Sequence, residues 1–213
     1  MTTFAVRRAT PKDFPALLEA DGRAFGVHYT ESDHTDLERM LDLDRFLVAV
    51  DPADDSGLLG ATGSFAFDMT LPGGTTLPVP GVTWVCVAVT HRRRGILRAL
   101  LAEQHRDFIA DGLAMAALTA SEGSIYGRFG YGPTTSHRGV EIARRRAVLR
   151  PDVPDTGGVR QVDTAQLSGI GPEIHRRWAA RTPGALSRDE RWWNDLLTDR
   201  EHRRHGGSAL FHL

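Results

Sequence analysis

Residues 82–101 read VTWVCVAVTHRRRGILRALL and decide the fold. A run rich in β-branched residues ends at Thr90, three arginines and Gly95 follow, and a helical pattern begins at Ile96. The first N–H groups of a helix lack intrahelical partners and its N-terminus is partly positive, so this position attracts anions. Guanidinium groups add forked donors that match phosphate oxygens. The stretch therefore predicts a strand, a basic turn and a helix start that bind a phosphorylated ligand.

The composition is that of an ordinary globular domain. Of 213 residues, 41% are hydrophobic and 25% are charged, which allows a substantial core. The net charge of −1 gives no global signal for a nucleic-acid partner or a membrane surface. The single cysteine, Cys86, and the lack of an apolar run of about 18 residues predict a cytoplasmic protein with no membrane association. Cys86 lies inside the β-branched run and is interpreted as an inert buried thiol.

Short strands and helices alternate along the chain. Strands are predicted at residues 4–8, 45–50, 58–68, 84–89, 114–120 and 134–142, and helices at 10–24, 32–41, 95–110 and 124–129. The prolines and glycines of residues 70–80 predict a loop. This order predicts an α/β fold with a mixed, mostly antiparallel sheet flanked by helices.

The C-terminal third of the sequence predicts a second set of alternating strands and helices. Residues 1–150 are expected to form the first domain, and the breaker-rich residues 151–158 a linker. Residues 159–213 then open with a strand at 159–162, continue with helices, and end on an incipient strand. They are expected to be the incomplete start of a second unit.

The element order and the basic turn resemble the GCN5-related N-acetyltransferase (GNAT) superfamily. The loop pattern of that superfamily is Arg/Gln-x-x-Gly-x-Gly/Ala, and residues 92–97 read RRRGIL. A leucine at the last position, together with ASEGSIYGRFGYGP at residues 120–133, resembles the enhanced intracellular survival (Eis) branch. Members of that branch have two GNAT-like units and a third, sterol-carrier-like domain. The resemblance therefore implies a GNAT fold whose second unit is incomplete and whose C-terminal part is missing.

The resemblance also implies acetyl-coenzyme A as co-substrate. In this superfamily the turn binds the pyrophosphate, and main-chain groups of the fourth strand bind the pantetheine arm. An arginine run can also be a solvated surface patch or a nucleic-acid contact, but a helix start directly after the run favours phosphate. Ser121 could contact the coenzyme or equally cap a helix. The implied coenzyme-binding residues are Val85, Val87, Arg92, Arg93, Gly95, Ile96 and Ser121.

Acetyl transfer to an amine requires an acid that protonates the departing thiolate. Tyr126 is the predicted catalytic acid, since a phenol can protonate a thiolate and the family's catalytic tyrosine lies in the corresponding short helix. The alternative is a packed aromatic, a role that is expected for Tyr131.

No general base is identified in the sequence. The resemblance implies that the base is the C-terminal carboxylate of the third domain, and the chain ends at Leu213, before any such domain. Glu122, His28 and His137 are other candidates without a spacing argument. The chain is therefore expected to bind acetyl-coenzyme A and to transfer acetyl slowly.

The acceptor is expected to be an amine, either an aminoglycoside-like polyamine or a lysine side chain. Phe25 and Trp84 match aromatic positions of the family's acceptor pocket, but Gly26-Val27-His28 stands where an acid is expected. The histidines show no metal-ligand spacing, so no metal is predicted. Trp192 and Trp193 predict either helix core or a face through which copies of the chain form a homo-oligomer. The predicted function is direct N-acetylation in a ternary complex, and the alternative is a coenzyme-binding but catalytically weak regulatory or interaction module.

Overall fold

The computed structural model describes residues 4–136, 138–148, 150–154, 157–204 and 206–209. The strands are β1 (Ala5–Arg8), β2 (Phe46–Asp51), β3 (Asp54–Thr70), β4 (Thr76–Val87) and β5 (Ala117–Leu118). The helices are α1 (Phe14–Phe25), α2 (Glu31–Met40), α3 (Ile96–Ala110), α4 (Gly123–Tyr126), α5 (Thr164–Ala179) and α6 (Glu190–Leu197). In the described part of the chain, no helix is long and apolar enough to cross a membrane.

The strands form one five-stranded sheet in the order β1-β2-β3-β4-β5. The first four strands are antiparallel neighbours, and β5 lies parallel to β4. Helix α3 supplies the crossover that a parallel pair requires. The predicted α/β fold with a mixed, mostly antiparallel sheet is confirmed.

Strand β2 is buried on both faces, so the sheet is covered on both sides. Its residues Phe46, Val48 and Val50 pack with α1, including Leu17 and Leu18. The alternate residues of β2 pack with α3 on the other side. We call these the α1 face and the α3 face.

The sheet is irregular where β4 approaches its C-terminal end. Gly63 pairs with Thr83 and Ala61 pairs with Cys86, so β4 contains one residue more than β3 between the two pairs. This is a β-bulge, and within it Trp84 has a φ of 54°, a left-handed conformation that is strained for a side chain of this size.

Strand β5 pairs with β4 at only two residues of β4, Gly81 and Val82. From Thr83 to Val87, β4 has no β5 partner among the described residues. The sheet is therefore open on this side of β4, directly beside the bulge.

Three predicted elements are wrong. Strand β4 begins at Thr76, inside the predicted loop 70–80, and pairs with β3 from there onward. The described residues of 134–142 form no strand, and of the predicted strand 159–162 only Val162 takes part in an isolated bridge. The incipient strand at 209–213 falls mostly on residues 210–213, which lie outside the described residues.

The segment after residue 180 packs against the first part of the chain. The Trp192 ring of α6 contacts Phe65 and Phe67 of β3, with centroids 4.9 and 5.4 Å apart. Leu186 forms an isolated bridge with Met69 at the end of β3. Trp192 therefore belongs to a core, as one of the two interpretations held, while the domain boundaries at 150 and 158 stay a prediction.

Candidate functional site

The basic turn leads into α3 through two left-handed residues. Arg93 has a φ of 64° and Gly95, the N-cap, a φ of 86°. The first helical hydrogen bond runs from Ala99 N–H to Gly95 C=O, at 3.0 Å. The amides before Ala99 in the first turn consequently have no intrahelical acceptor and point out of the helix start. Arg92, Arg93 and Gly95 are exposed beside these amides, which makes the turn a basic, donor-rich surface.

Ile96 contributes to this surface through its backbone alone. Its side chain is 2% exposed and packs in the core of the α3 face with Leu100. A ligand at the helix start can therefore meet the Ile96 amide but not its side chain.

Val85 and Val87 lie on the stretch of β4 that has no β5 partner among the described residues. Both side chains pack on the α3 face, Val85 in a cluster that contains Tyr126 and Val87 in the cluster that contains Ile96. The fold thus brings the main chain of β4, the helix start and Tyr126 together along the opening beside β5.

Tyr126 ends α4 and is half-buried at this opening. Burial and the nearby Glu122 carboxylate raise the pKa of its phenol, so the hydroxyl carries its proton at neutral pH. Within the described residues the Tyr126 hydroxyl makes no hydrogen bond. Ser121 is exposed in the loop between β5 and α4.

Tyr131 differs from Tyr126 although the two rings touch at 6.0 Å. The Tyr131 hydroxyl is 3.1 Å from His105 Nε2, and burial raises the pKa of Tyr131 to about 12. A hydroxyl that is already bonded inside the protein fits the structural role expected for Tyr131.

The aromatic residues expected to hold the acceptor are not in mutual ring contact. Trp84 stacks on Tyr29, with centroids 6.2 Å apart and planes within 5°, and meets Phe46 edge-on at 5.9 Å. Phe25, the last residue of α1, is 49% exposed and is not among the ring contacts of the described residues. Tyr29, and not Phe25, is the side chain that stacks on Trp84.

Asp21 is a polar group that sequence reasoning missed. It is 6% exposed on the α1 face, and the Tyr29 hydroxyl donates a hydrogen bond of 2.6 Å to its Oδ2. Burial raises the pKa of this carboxyl. The sequence did contain a signal, because Asp21 lies four residues after Leu17 and three after Leu18, on the apolar side of α1.

A cavity of about 330 Å³ opens between α1 and the residues that lead into α2. Its walls include Leu18, Gly22, Val27, His28 and Tyr29. Tyr29 thus connects an open cavity with the buried carboxyl of Asp21.

Other candidate groups are less well placed for chemistry. Cys86 is buried, and burial raises the pKa of its thiol to about 11, as suits an inert thiol. Glu122 and His28 are exposed, and His137 lies outside the described residues. Across the described ranges, no group of three or more His, Cys, Asp or Glu side chains is arranged to hold a metal ion.

A family model described as "Acetyltransferase (GNAT) domain" matches residues 5–134. The chain belongs to the GNAT acetyltransferase family. The match includes the whole opening beside β4, from α1 to Tyr131, so every site residue described above lies within the GNAT domain.

Two relatives and one solved structure refine this placement. The N-acetyltransferase Eis of Mycobacterium tuberculosis is 36% identical over 89% of this chain and 48% of its own length. An uncharacterized N-acetyltransferase of Streptomyces coelicolor is 42% identical over 71% of this chain and 37% of its own. The crystal structure of Eis1 from Mycobacterium abscessus superimposes with a TM-score of 0.70 at 32% identity, covering 91% of this chain and 47% of that one.

The predicted resemblance to the Eis branch is confirmed by these similarities. The chain spans about half the length of the Eis proteins that it matches. The GNAT match covers β1 to β5 and α1 to α4, whereas α5 and α6 lie beyond it.

Proposed function

We propose that this chain transfers the acetyl group of acetyl-coenzyme A to an amine by direct attack in a ternary complex. The observation that carries the proposal is the opening beside β4. This opening lies within the GNAT domain. It combines an edge of β4 that has no β5 partner with the N-terminus of α3, which exposed arginines precede. A long ligand with a phosphorylated end and an extended arm matches both parts.

The coenzyme would be held by backbone and guanidinium groups. Arg92, Arg93 and the amides from Gly95 and Ile96 onward would bind the pyrophosphate, which gains charge-assisted hydrogen bonds there. The pantetheine arm would lie against β4 like an added strand and bond the main chain of Val85 and Val87. Ser121 would contact the coenzyme from the other side of the opening.

In the reaction, the amine nitrogen attacks the thioester carbonyl carbon. A C–N bond forms, the C–S bond breaks, and the electron pair of that bond leaves with sulfur. Tyr126 would protonate the thiolate, because its phenol is neutral at pH 7 and its hydroxyl has no hydrogen-bond partner among the described residues. No acyl-enzyme is needed, and the buried Cys86 would take no part.

The acceptor would enter from the α1 face. Trp84 and the exposed Phe25 border this side, and aromatic walls suit an amine that carries positive charge in water. An aminoglycoside-like polyamine and a lysine side chain are both acceptors of this class.

Calorimetric titration with acetyl-coenzyme A tests the coenzyme site. The Arg92→Ala/Arg93→Ala variant should bind about 30- to 100-fold more weakly, since two solvent-exposed charged contacts together contribute about 2–3 kcal/mol. Arg106→Ala is the matched control. That arginine lies at the far end of α3, exposed and paired with Glu103, so affinity should not change.

Release of free thiol in the presence of kanamycin, spermidine or Nα-acetyl-lysine then tests transfer. Turnover with at least one amine, reduced in the double-arginine variant at limiting coenzyme, is the expected result. A folded chain that fails to bind acetyl-coenzyme A would contradict the proposal. Tight binding without any turnover would instead support a coenzyme-binding module.

A further inference from the structure

We propose that Tyr29 and Asp21 form a proton relay that removes the proton from the attacking amine. This inference rests on the proposed acetyltransferase function and names a base that the sequence did not reveal. Tyr29 would contact the amine, and Asp21 would act through Tyr29 as a positioning residue and final proton acceptor.

The position of the pair relative to the bulge is the first argument. Tyr29 stacks on Trp84, the residue whose φ of 54° marks the bulge in β4. Tyr29, Trp84 and Cys86, which follows the bulge, belong to the same hydrophobic cluster on the α1 face. The pair therefore lies against the part of β4 along which the reactive end of the coenzyme is proposed to bind.

The opening in the sheet lets this pair face the same space as Tyr126. Tyr126 packs on the α3 face, whereas Trp84 and Cys86 pack on the α1 face. A continuous sheet would separate the two sets of groups. Because β5 pairs with β4 only at Gly81 and Val82, no described strand separates them beyond that point. A thioester in the opening would have an acid on one side and the relay on the other.

The hydrogen bond between the two residues has the direction that a relay needs. Tyr29 Oη donates to Asp21 Oδ2 at 2.6 Å, so the phenol oxygen can accept a new proton while it passes its own to the carboxylate. The amine reacts in its neutral form, after its ammonium form has released one proton to water. As the C–N bond forms, a further amine proton moves to Tyr29 and the Tyr29 proton moves to Asp21. The C–S bond breaks and the thiolate takes the Tyr126 proton, so every proton is accounted for.

Burial tunes the pair for this task. It raises the pKa of Asp21, which makes the carboxylate a better proton acceptor than an exposed aspartate. It also raises the pKa of Tyr29, as does the neighbouring Asp21 charge, so Tyr29 acts as a carrier and not as a stored tyrosinate. The charges of Asp33 on α2 and Arg203 in the C-terminal segment act on Tyr29 in opposite directions.

The cavity supplies the route for an acceptor. Tyr29 forms part of its wall together with His28, His34 and the ion pair of Glu19 and Arg23. An amine in this cavity would contact these polar and charged groups together with Tyr29.

The test is the pH dependence of kcat for wild type, Tyr29→Phe and Asp21→Asn with an amine from the same panel. Tyr29→Phe keeps the ring on Trp84 and removes the hydroxyl, and Asp21→Asn keeps the shape and removes the base. In both variants kcat near neutral pH should fall about 100-fold, within the usual range for general-base catalysis, and the acidic limb of the profile should disappear. Affinity for acetyl-coenzyme A should stay unchanged.

Asp13→Asn is the matched control, because Asp13 is another buried carboxylate next to α1 but is bound to Arg7, away from the bulge. Its acidic limb should remain as in wild type. A Tyr29→Phe variant with wild-type kcat, or with a lower kcat and an unchanged limb, would overturn the relay and leave the proposed function intact. A wild-type chain that binds acetyl-coenzyme A and acetylates none of the amines would overturn both. Thermal unfolding of each variant separates loss of fold from loss of catalysis. If Asp21→Asn does not fold, the kcat profile of Tyr29→Phe alone decides whether the relay operates.

Discussion

Replacing Asp33 with alanine should loosen the C-terminal segment from α2. Asp33 is 5% exposed and lies in the first turn of that helix. Its Oδ2 accepts hydrogen bonds from the Thr30 amide at 2.9 Å, the Thr30 hydroxyl at 2.7 Å and His202 Nε2 at 2.8 Å. Its Oδ1 accepts from Arg203 Nε at 2.7 Å. One carboxylate therefore caps the helix and also joins it to residues more than 160 positions later.

The expected loss of stability is about 2–3 kcal/mol. The capping interactions contribute about 1 kcal/mol, and the Thr30 amide that loses its partner costs about 1 kcal/mol more. The Arg203 side chain is 33% exposed and keeps its contacts with Asp36 and Asp195, so the lost ion pair adds at most about 1 kcal/mol. For a chain of this size the melting temperature should fall by about 4–12 °C.

Urea unfolding of wild type, Asp33→Ala, Asp33→Asn and Glu38→Ala measures this. Asparagine keeps an acceptor for the cap but not the charge, so its loss should be intermediate. Glu38 is exposed on the same helix and its replacement should change stability by less than about 0.5 kcal/mol. Amide exchange in α6 should quicken in Asp33→Ala. Equal midpoints for Asp33→Ala and Glu38→Ala would refute the reasoning.

Three further predictions concern acid stability, packing and catalysis. Hydrogen bonds from Arg7 lower the pKa of Asp13 to about 2. The stability that ionised Asp13 contributes is therefore present above about pH 4 and is lost as the pH falls toward 2. In Asp13→Asn, the urea midpoint of unfolding should consequently depend less on pH between about 4 and 2 than in wild type. Gly63→Ala should destabilise by more than about 2 kcal/mol in urea because a Cβ there overlaps the Phe46 ring, whereas Gly57→Ala on the same strand should be nearly neutral. Tyr126→Phe should lower kcat by about 10²- to 10⁴-fold with unchanged calorimetric affinity for acetyl-coenzyme A, and an unchanged kcat would remove Tyr126 from the mechanism.

Local signals in the sequence predicted most of the helices and strands. Some signals mark the start or end of a helix without any tertiary partner: the basic turn before Ile96, the threonine before Pro11 and Gly26 after α1. The helices that these residues begin or end are present in the structure. The sequence does not reveal the start of β4, because Pro78 and Pro80 are residues typical of loops. Along that stretch β4 pairs with β3 alone, and a proline is tolerated where a strand has a free edge.

The candidate site was predicted less completely than the fold. Arg92, Arg93 and Gly95 lie within four consecutive positions, so the pattern that identifies them can be recognised in the sequence. The contact between Asp21 and Tyr29 joins a helix to the loop that follows it. Its proposed role in proton transfer depends on the stacking of Tyr29 on Trp84, which lies 55 positions further along the chain. Only the position of Asp21 on an apolar helix face was visible in the sequence, and that indicates burial without showing the partner.

The bulge in β4 explains why coenzyme and acceptor should be separable in this protein. Val82 packs on the α3 face but Trp84, two residues later, packs on the α1 face, because the extra residue reverses the alternation of side chains. Cys86 then shares the α1 face with Trp84, while Val85 lies on the α3 face, so one short strand contacts two different sets of side chains. The phosphate end of the proposed site depends on the turn before α3, and the acceptor side depends on α1 and the residues that lead into α2. Changes on the α1 face should therefore alter amine choice and proton transfer without altering coenzyme affinity. Changes in the basic turn should do the reverse, because the two sets of groups share only the backbone of β4.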